Sequence, residues 1–78
     1  MSEDVVATRA QSYGDARPNM VRTAKLWSAY LGVPVSAHDV AMCMILVKCS
    51  RASVSHHADN YLDIRGYSVI AESLSEGR

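Results

Sequence analysis

Residues 36–51 read SAHDVAMCMILVKCSR, and the fold turns on what kind of helix that stretch makes. Ser36 and Asp39 form a capping box with Asp in the place of Glu, so the stretch opens a helix. From Val40 to Val47 no side chain is polar. A surface helix carries one apolar stripe, whereas a helix apolar around its whole circumference needs neighbours on every side. The run is far shorter than the roughly 20 apolar residues a bilayer demands. Lys48 and Arg51 close it with positive charge, which suits a helix C-terminus. The stretch predicts a helix over about 36–52, buried at the centre of a small bundle.

Working outward, Pro18 fits the first turn of a preceding helix, where its missing N–H costs little. That helix is expected to run from about 17 to Leu31 and to stop at Gly32, the residue preferred just past a C-terminus. Met20, Ala24, Trp27 and Leu31 recur on it at helical spacing. Pro34 makes the GVPVS connector extended. Beyond the central helix, ASVSHH has no periodicity and reads as a loop. A last helix is predicted over about 58–75, with Tyr61, Leu62, Val69, Ile70 and Leu74 as its apolar contributors. Gly66 falls in its middle, at a cost of roughly 1 kcal/mol relative to Ala, which calls for a close approach or room for a ligand. A short N-terminal helix or arm is expected over 1–12, a core bundle over 13–75 and a frayed tail over 76–78, all in one all-α domain.

Composition narrows the rest. A chain of 78 residues that is 49% hydrophobic folds as one domain, near the lower limit for a self-sufficient core. So short a chain offers too few faces to cover a fully apolar helix, which predicts completion of the bundle by a homo-oligomer. Eight basic and eight acidic residues leave no net charge, so the overall field recruits neither DNA, RNA nor an anionic membrane. Cys43 and Cys49, about 9 Å apart along one helix, cannot bond to each other. They read as buried free thiols in a reducing cytoplasm. No signal peptide, membrane span or lipidation motif is visible, which predicts a cytoplasmic protein.

Two segments carry polar residues that could do chemistry. Lys48 and Arg51 project from one face of the end of the central helix. In HHADNYLDIRGY, Asp59 and Asp63 are one turn apart, with Asn60 beside them and Tyr67 one turn on. Two carboxylates at that spacing can hold a hard cation such as Mg²⁺. The two cations could meet phosphate oxygens, Arg as a bidentate fork and Lys as a point charge. Plainer roles compete: Asp59 as a helix-start charge, Lys48 and Arg51 as helix-end charges, Asp63 as the ion-pair partner of Arg51 or Arg65. His56 and His57 lack a partner at zinc-ligand spacing. Neither Cys has an activating neighbour in sequence, and no Gly-rich phosphate loop exists, so covalent and P-loop chemistry find no support.

SYGDARPN, AKLWSAYLG, HDVAMCMILVKCSR and DNYLDIRGY together resemble a family of short bacteriophage proteins of unassigned function, over about residues 13–71. That pattern draws Tyr13, in the Tyr-Gly turn, and Asn19, at the start of the next helix, into the candidate nucleotide-binding set beside Lys48, Arg51, Asn60 and Tyr67. More distantly, the last helix is similar to that of the MazG-like all-α nucleoside triphosphate pyrophosphohydrolases. In those enzymes a Glu-x-x-Glu and a Glu-x-x-Asp on successive helices hold Mg²⁺ against the triphosphate. By that resemblance Asp63 stands for the closing Asp and Asn60 where the Glu belongs. No Glu-x-x-Glu occurs here; Lys48 and Arg51 stand on the helix that should carry it. Cations facing a phosphate favour binding over hydrolysis, and Mg²⁺ held by Asp59 and Asp63 is the only cofactor expected, if any. The expectation is a nucleotide-binding protein of the infected cell that sequesters its ligand, a host immune signalling nucleotide being one candidate, with no catalytic residue assigned. A Mg²⁺-dependent pyrophosphohydrolase and a phage protein that binds a host protein are the alternatives.

Overall fold

The computed structural model describes residues 16–55 and 57–75, and these form three helices: α1 (Ala16–Leu31), α2 (Ala37–Val54) and α3 (Ala58–Ser75). Among the described residues there is no strand, and no helix is long and apolar enough to cross a membrane. The predicted N-terminal helix and the predicted frayed tail lie outside the described residues, as does Tyr13.

Each helix begins and ends where local chemistry dictates. The Gly32 N–H donates to the Ser28 carbonyl (2.9 Å) while Gly32 sits at φ +72°, a left-handed turn that caps α1 and that side chains with a Cβ adopt at a cost. Ser28 also fastens the connector. Its Oγ accepts from the Val35 N–H (2.8 Å) and donates to the Val35 carbonyl (3.2 Å). The capping box read from the sequence is present: Ser36 Oγ accepts from the Asp39 N–H and Asp39 Oδ2 from the Ser36 N–H, both at 3.0 Å. Ser36 is therefore the cap and α2 starts at Ala37. It runs on to Val54, two residues past the expected end, where the Ser55 N–H donates to the Arg51 carbonyl (2.9 Å).

α2 and α3 lie antiparallel and pack most extensively, α1 packs mainly on α2, and α1 and α3 meet only briefly. The main core lies toward the start of α2 and the end of α3. Met20 and Ala24 from α1, Val40 and Ala41 from α2, and Ile70 and Ala71 from α3 are buried together there. Trp27, Val35, Tyr67 and Leu74 pack around them. At the other end of the α2–α3 pair, Ala52, Leu62 and Gly66 are buried. The small residues Ala41, Ala52, Gly66 and Ala71 are among those buried along α2 and α3.

Three sequence expectations are corrected. The Val40–Val47 segment is not buried all round in the single chain. Val40 and Ala41 are buried, Met44 and Ile45 half-buried, and Met42, Leu46 and Val47 are 42%, 65% and 46% exposed. Two neighbouring helices cover only part of a helix's circumference, and both lie to one side of α2. For the same reason Cys43 and Cys49, expected to be buried, are exposed free thiols. Finally, Leu31, Tyr61 and Val69 keep much of their surface in solvent, while Met20, Ala24, Leu62 and Ile70 face the interior as their spacing requires.

Candidate functional site

Where α2 ends and α3 begins, the hairpin forms an open pocket of about 380 Å³. The antiparallel register makes it. It brings the last turns of α2 against the first turns of α3, so Lys48 and Asp63, 15 apart in sequence, become neighbours. α2 contributes Lys48 and Arg51, the connector Ser55 and His57, and α3 Asp59, Asn60 and Asp63.

The charges are not equivalent. Lys48 Nζ lies 3.2 Å from Asp63 Oδ2, with side-chain exposures of 15% and 21%. A half-buried pair at that distance is mutually neutralising, and Asp63 has a further interaction besides Lys48. The plainer reading that paired Asp63 with Arg51 or Arg65 named the wrong cation. Arg51 is exposed in the last turn of α2 and has no carboxylate partner among the described residues. Asp59, exposed in the first turn of α3, likewise has no cation beside it. Among the described residues, Lys48 and Asp63 thus form an ion pair in the cavity, while Arg51 and Asp59 have no charged partner.

Asn60 is the one buried polar side chain among the described residues, 9% exposed. Its Nδ2 donates to the Ser55 carbonyl (3.2 Å), and its own N–H to the His57 carbonyl (3.1 Å). The amide therefore fixes the turn between α2 and α3, and its Oδ1 remains an acceptor. Burying an amide without a partner costs roughly 1–3 kcal/mol, so these bonds hold Asn60 in place.

Of the residues expected at the site, the fold brings together Lys48, Arg51, Asp59, Asn60 and Asp63. Tyr67 does not line this pocket and packs against the main core. Nor does the fold bring in Asn19, exposed in the first turn of α1. Two lining residues were not foreseen, Ser55 and His57. Their only signal is position, since both stand in the connector between two packed helices. As a metal centre the arrangement is poor: among the described residues no three His, Cys, Asp or Glu side chains are placed to share an ion. Asp59 and Asp63 alone would leave the Lys48 ammonium beside any cation they held.

Comparison with known proteins adds the family. The family model described as a domain of unknown function, DUF6378, matches residues 1–75. The Gene 55 protein of Mycobacterium phage L5 is 42% identical over 76 residues, covering 94% of this chain and 49% of that protein. The Gene 55 protein of Mycobacterium phage D29 is 38% identical over 69 residues, covering 87% of this chain and 46% of its own length. The chain thus spans about half the length of these phage relatives, whose names state no activity. No solved structure matches. On the extent of these matches, the chain belongs to the DUF6378 family, which has members in bacteriophages.

Proposed function

We propose that the protein binds a nucleotide in the cavity between α2 and α3 and does not turn it over. The observation that supports this most directly is Arg51, a guanidinium that lines the cavity with no carboxylate partner among the described residues, while Lys48 is paired with Asp63. Guanidinium groups engage phosphate through two parallel, charge-assisted hydrogen bonds. The cavity volume is at the small end of the range typical of small-molecule sites.

Binding is preferred over hydrolysis because metal-assisted attack on a phosphate needs a cation held in an open, fixed geometry. Here Asp63 is engaged by Lys48, and Asp59 has no charged partner among the described residues. The distant MazG-like resemblance of α3 supplies the alternative of a Mg²⁺-dependent pyrophosphohydrolase, and the phage relatives supply the setting. In an infected cell, a non-hydrolysing binder would lower the free concentration of its nucleotide, and a host immune signal is the ligand whose removal would serve a phage. Self-association belongs to the same proposal, because much of the apolar surface of α2 is left uncovered by α1 and α3.

The test is incubation of the protein with linear and cyclic nucleotides, scored for both melting-temperature shift and product. A shift without product is the expected result. Product formation would establish the pyrophosphohydrolase reading instead. Neither shift nor product would point to a host-protein ligand and remove the nucleotide.

A further inference from the structure

The exposed side of α2 carries a pattern of its own. Cys43, Val47, Ser50 and Val54 are all exposed and follow one another at steps of four, three and four residues. Steps that average about 3.5 residues keep one line of side chains facing a neighbouring helix. Leu46, 65% exposed, lies beside the line. None of the five is charged. A line with this spacing and no charge is suited to a second helix and poorly suited to water.

Charge selects the occupant. The charged residues of α2 are Asp39, Lys48 and Arg51. Lys48 is paired with Asp63 on the packed side, which leaves an acidic residue in the first turn and a basic one in the last. A second copy of α2 laid antiparallel brings the Asp39 end of each helix beside the Arg51 end of the other, and the two-fold symmetry of a like-with-like pair repeats the match. The dipole ends are then also set opposite to one another. A parallel copy would set like charges and like dipole ends together. Between the ends, an uncharged line meets its own copy with no like-charge repulsion. A partner of one charge sign would complement one end of α2 and oppose the other.

We infer that the exposed line of α2 is the seam of an antiparallel, two-fold dimer, with Cys43 inside the contact and Cys49 outside it. The inference rests on the self-association included in the proposed function and adds its face, its partner and its orientation. Cys49 is six residues beyond Cys43 and so stands about 120° round the helix from it. With Asp39 level with the partner's Arg51, the two-fold passes near the level of Ile45.

The two native thiols report the face. The full chain is alkylated with N-ethylmaleimide over a series of protein concentrations, and each cysteine is followed by peptide mass spectrometry. Where light scattering shows a dimer, Cys43 should react about tenfold or more slowly than in the dilute chain, while Cys49 keeps its rate. Leu46→Lys should restore the dilute rate at Cys43. Orientation is read by electron spin resonance with a nitroxide on Ser53→Cys, in a chain also carrying Cys43→Ser and Cys49→Ser. The antiparallel pair should separate the two labels by about 24 Å along the helix axis. Circular dichroism melts matching the wild type, for these exposed positions, show that the labelled variant is folded. Labels within about 15 Å, the spacing of parallel neighbours, would overturn the inference and leave self-association standing. So would a dimer in which Cys43 keeps its rate or Cys49 is the thiol protected. A monomer at every concentration would remove the inference and self-association together, and would leave nucleotide binding to its own test.

Discussion

Arg51 and Lys48 sit three residues apart at the end of α2, yet among the described residues only Lys48 has a carboxylate beside it. The two should respond differently to truncation. Arg51→Ala removes an exposed group with no ion-pair partner among the described residues, and its interaction with the helix dipole is worth at most about 1 kcal/mol. The melting temperature should move little while nucleotide affinity falls. Lys48→Met leaves Asp63 without its cation in a half-buried position, although Asp63 does not depend on Lys48 alone. Here stability should fall, by about 1–2 kcal/mol given partial solvent screening. A double-mutant cycle with Asp63→Asn measures the coupling. A coupling energy indistinguishable from zero would mean that the pair is a surface contact and that Lys48 is as open as Arg51. The identity of this pair was not legible in the sequence. Spacing placed Lys48 and Asp63 on their helices, but their meeting depends on the register of the α2–α3 hairpin, which no local rule sets.

Local rules do determine the element ends, and that is where sequence and structure agree best. Pro18, Gly32 and the Ser36–Asp39 box each act within four residues of their own position, so their geometry could be read before any packing was known. Ser28 is the exception. Its bonds to Val35 span seven residues, and nothing in the helical periodicity distinguishes it from a solvent-facing serine. Two substitutions compare these devices. Ser36→Ala should cost about 1 kcal/mol through loss of the cap. Ser28→Ala removes both bonds to Val35 and should cost about 1–2 kcal/mol. For a domain of this size each kilocalorie corresponds to a drop in melting temperature of about 4–8 °C. Thermal unfolding followed by circular dichroism checks both, and an unchanged midpoint for Ser28→Ala would show that the connector is not fastened there.

At the scale of the whole molecule, the apolar circumference of α2 was legible and its burial was not. Composition records how much of a helix is apolar, but the number of neighbours is a property of the assembled fold. α1 and α3 cover the side of α2 that includes Val40, Ala41 and Ala52, and leave Met42, Leu46 and Val47 in solvent. Because Lys48 is turned toward Asp63 and Arg51 toward the cavity, the Met42–Val47 stretch carries no charge to keep it hydrated. Exposed apolar surface of this kind is unfavourable at roughly 25 cal/mol per Å², and a second copy of the chain is always available to cover it. Light scattering at micromolar concentration should therefore give a mass of a dimer or larger. Leu46→Lys tests the location, because Leu46 is 65% exposed and the substitution should leave the monomer's core untouched. The variant should shift toward monomer with helicity and melting of the monomer preserved. A wild-type chain that scatters as a monomer would show that α2 tolerates its open face. An oligomer unaffected by Leu46→Lys would place the contact on another surface, such as the exposed Leu26 and Tyr30 of α1.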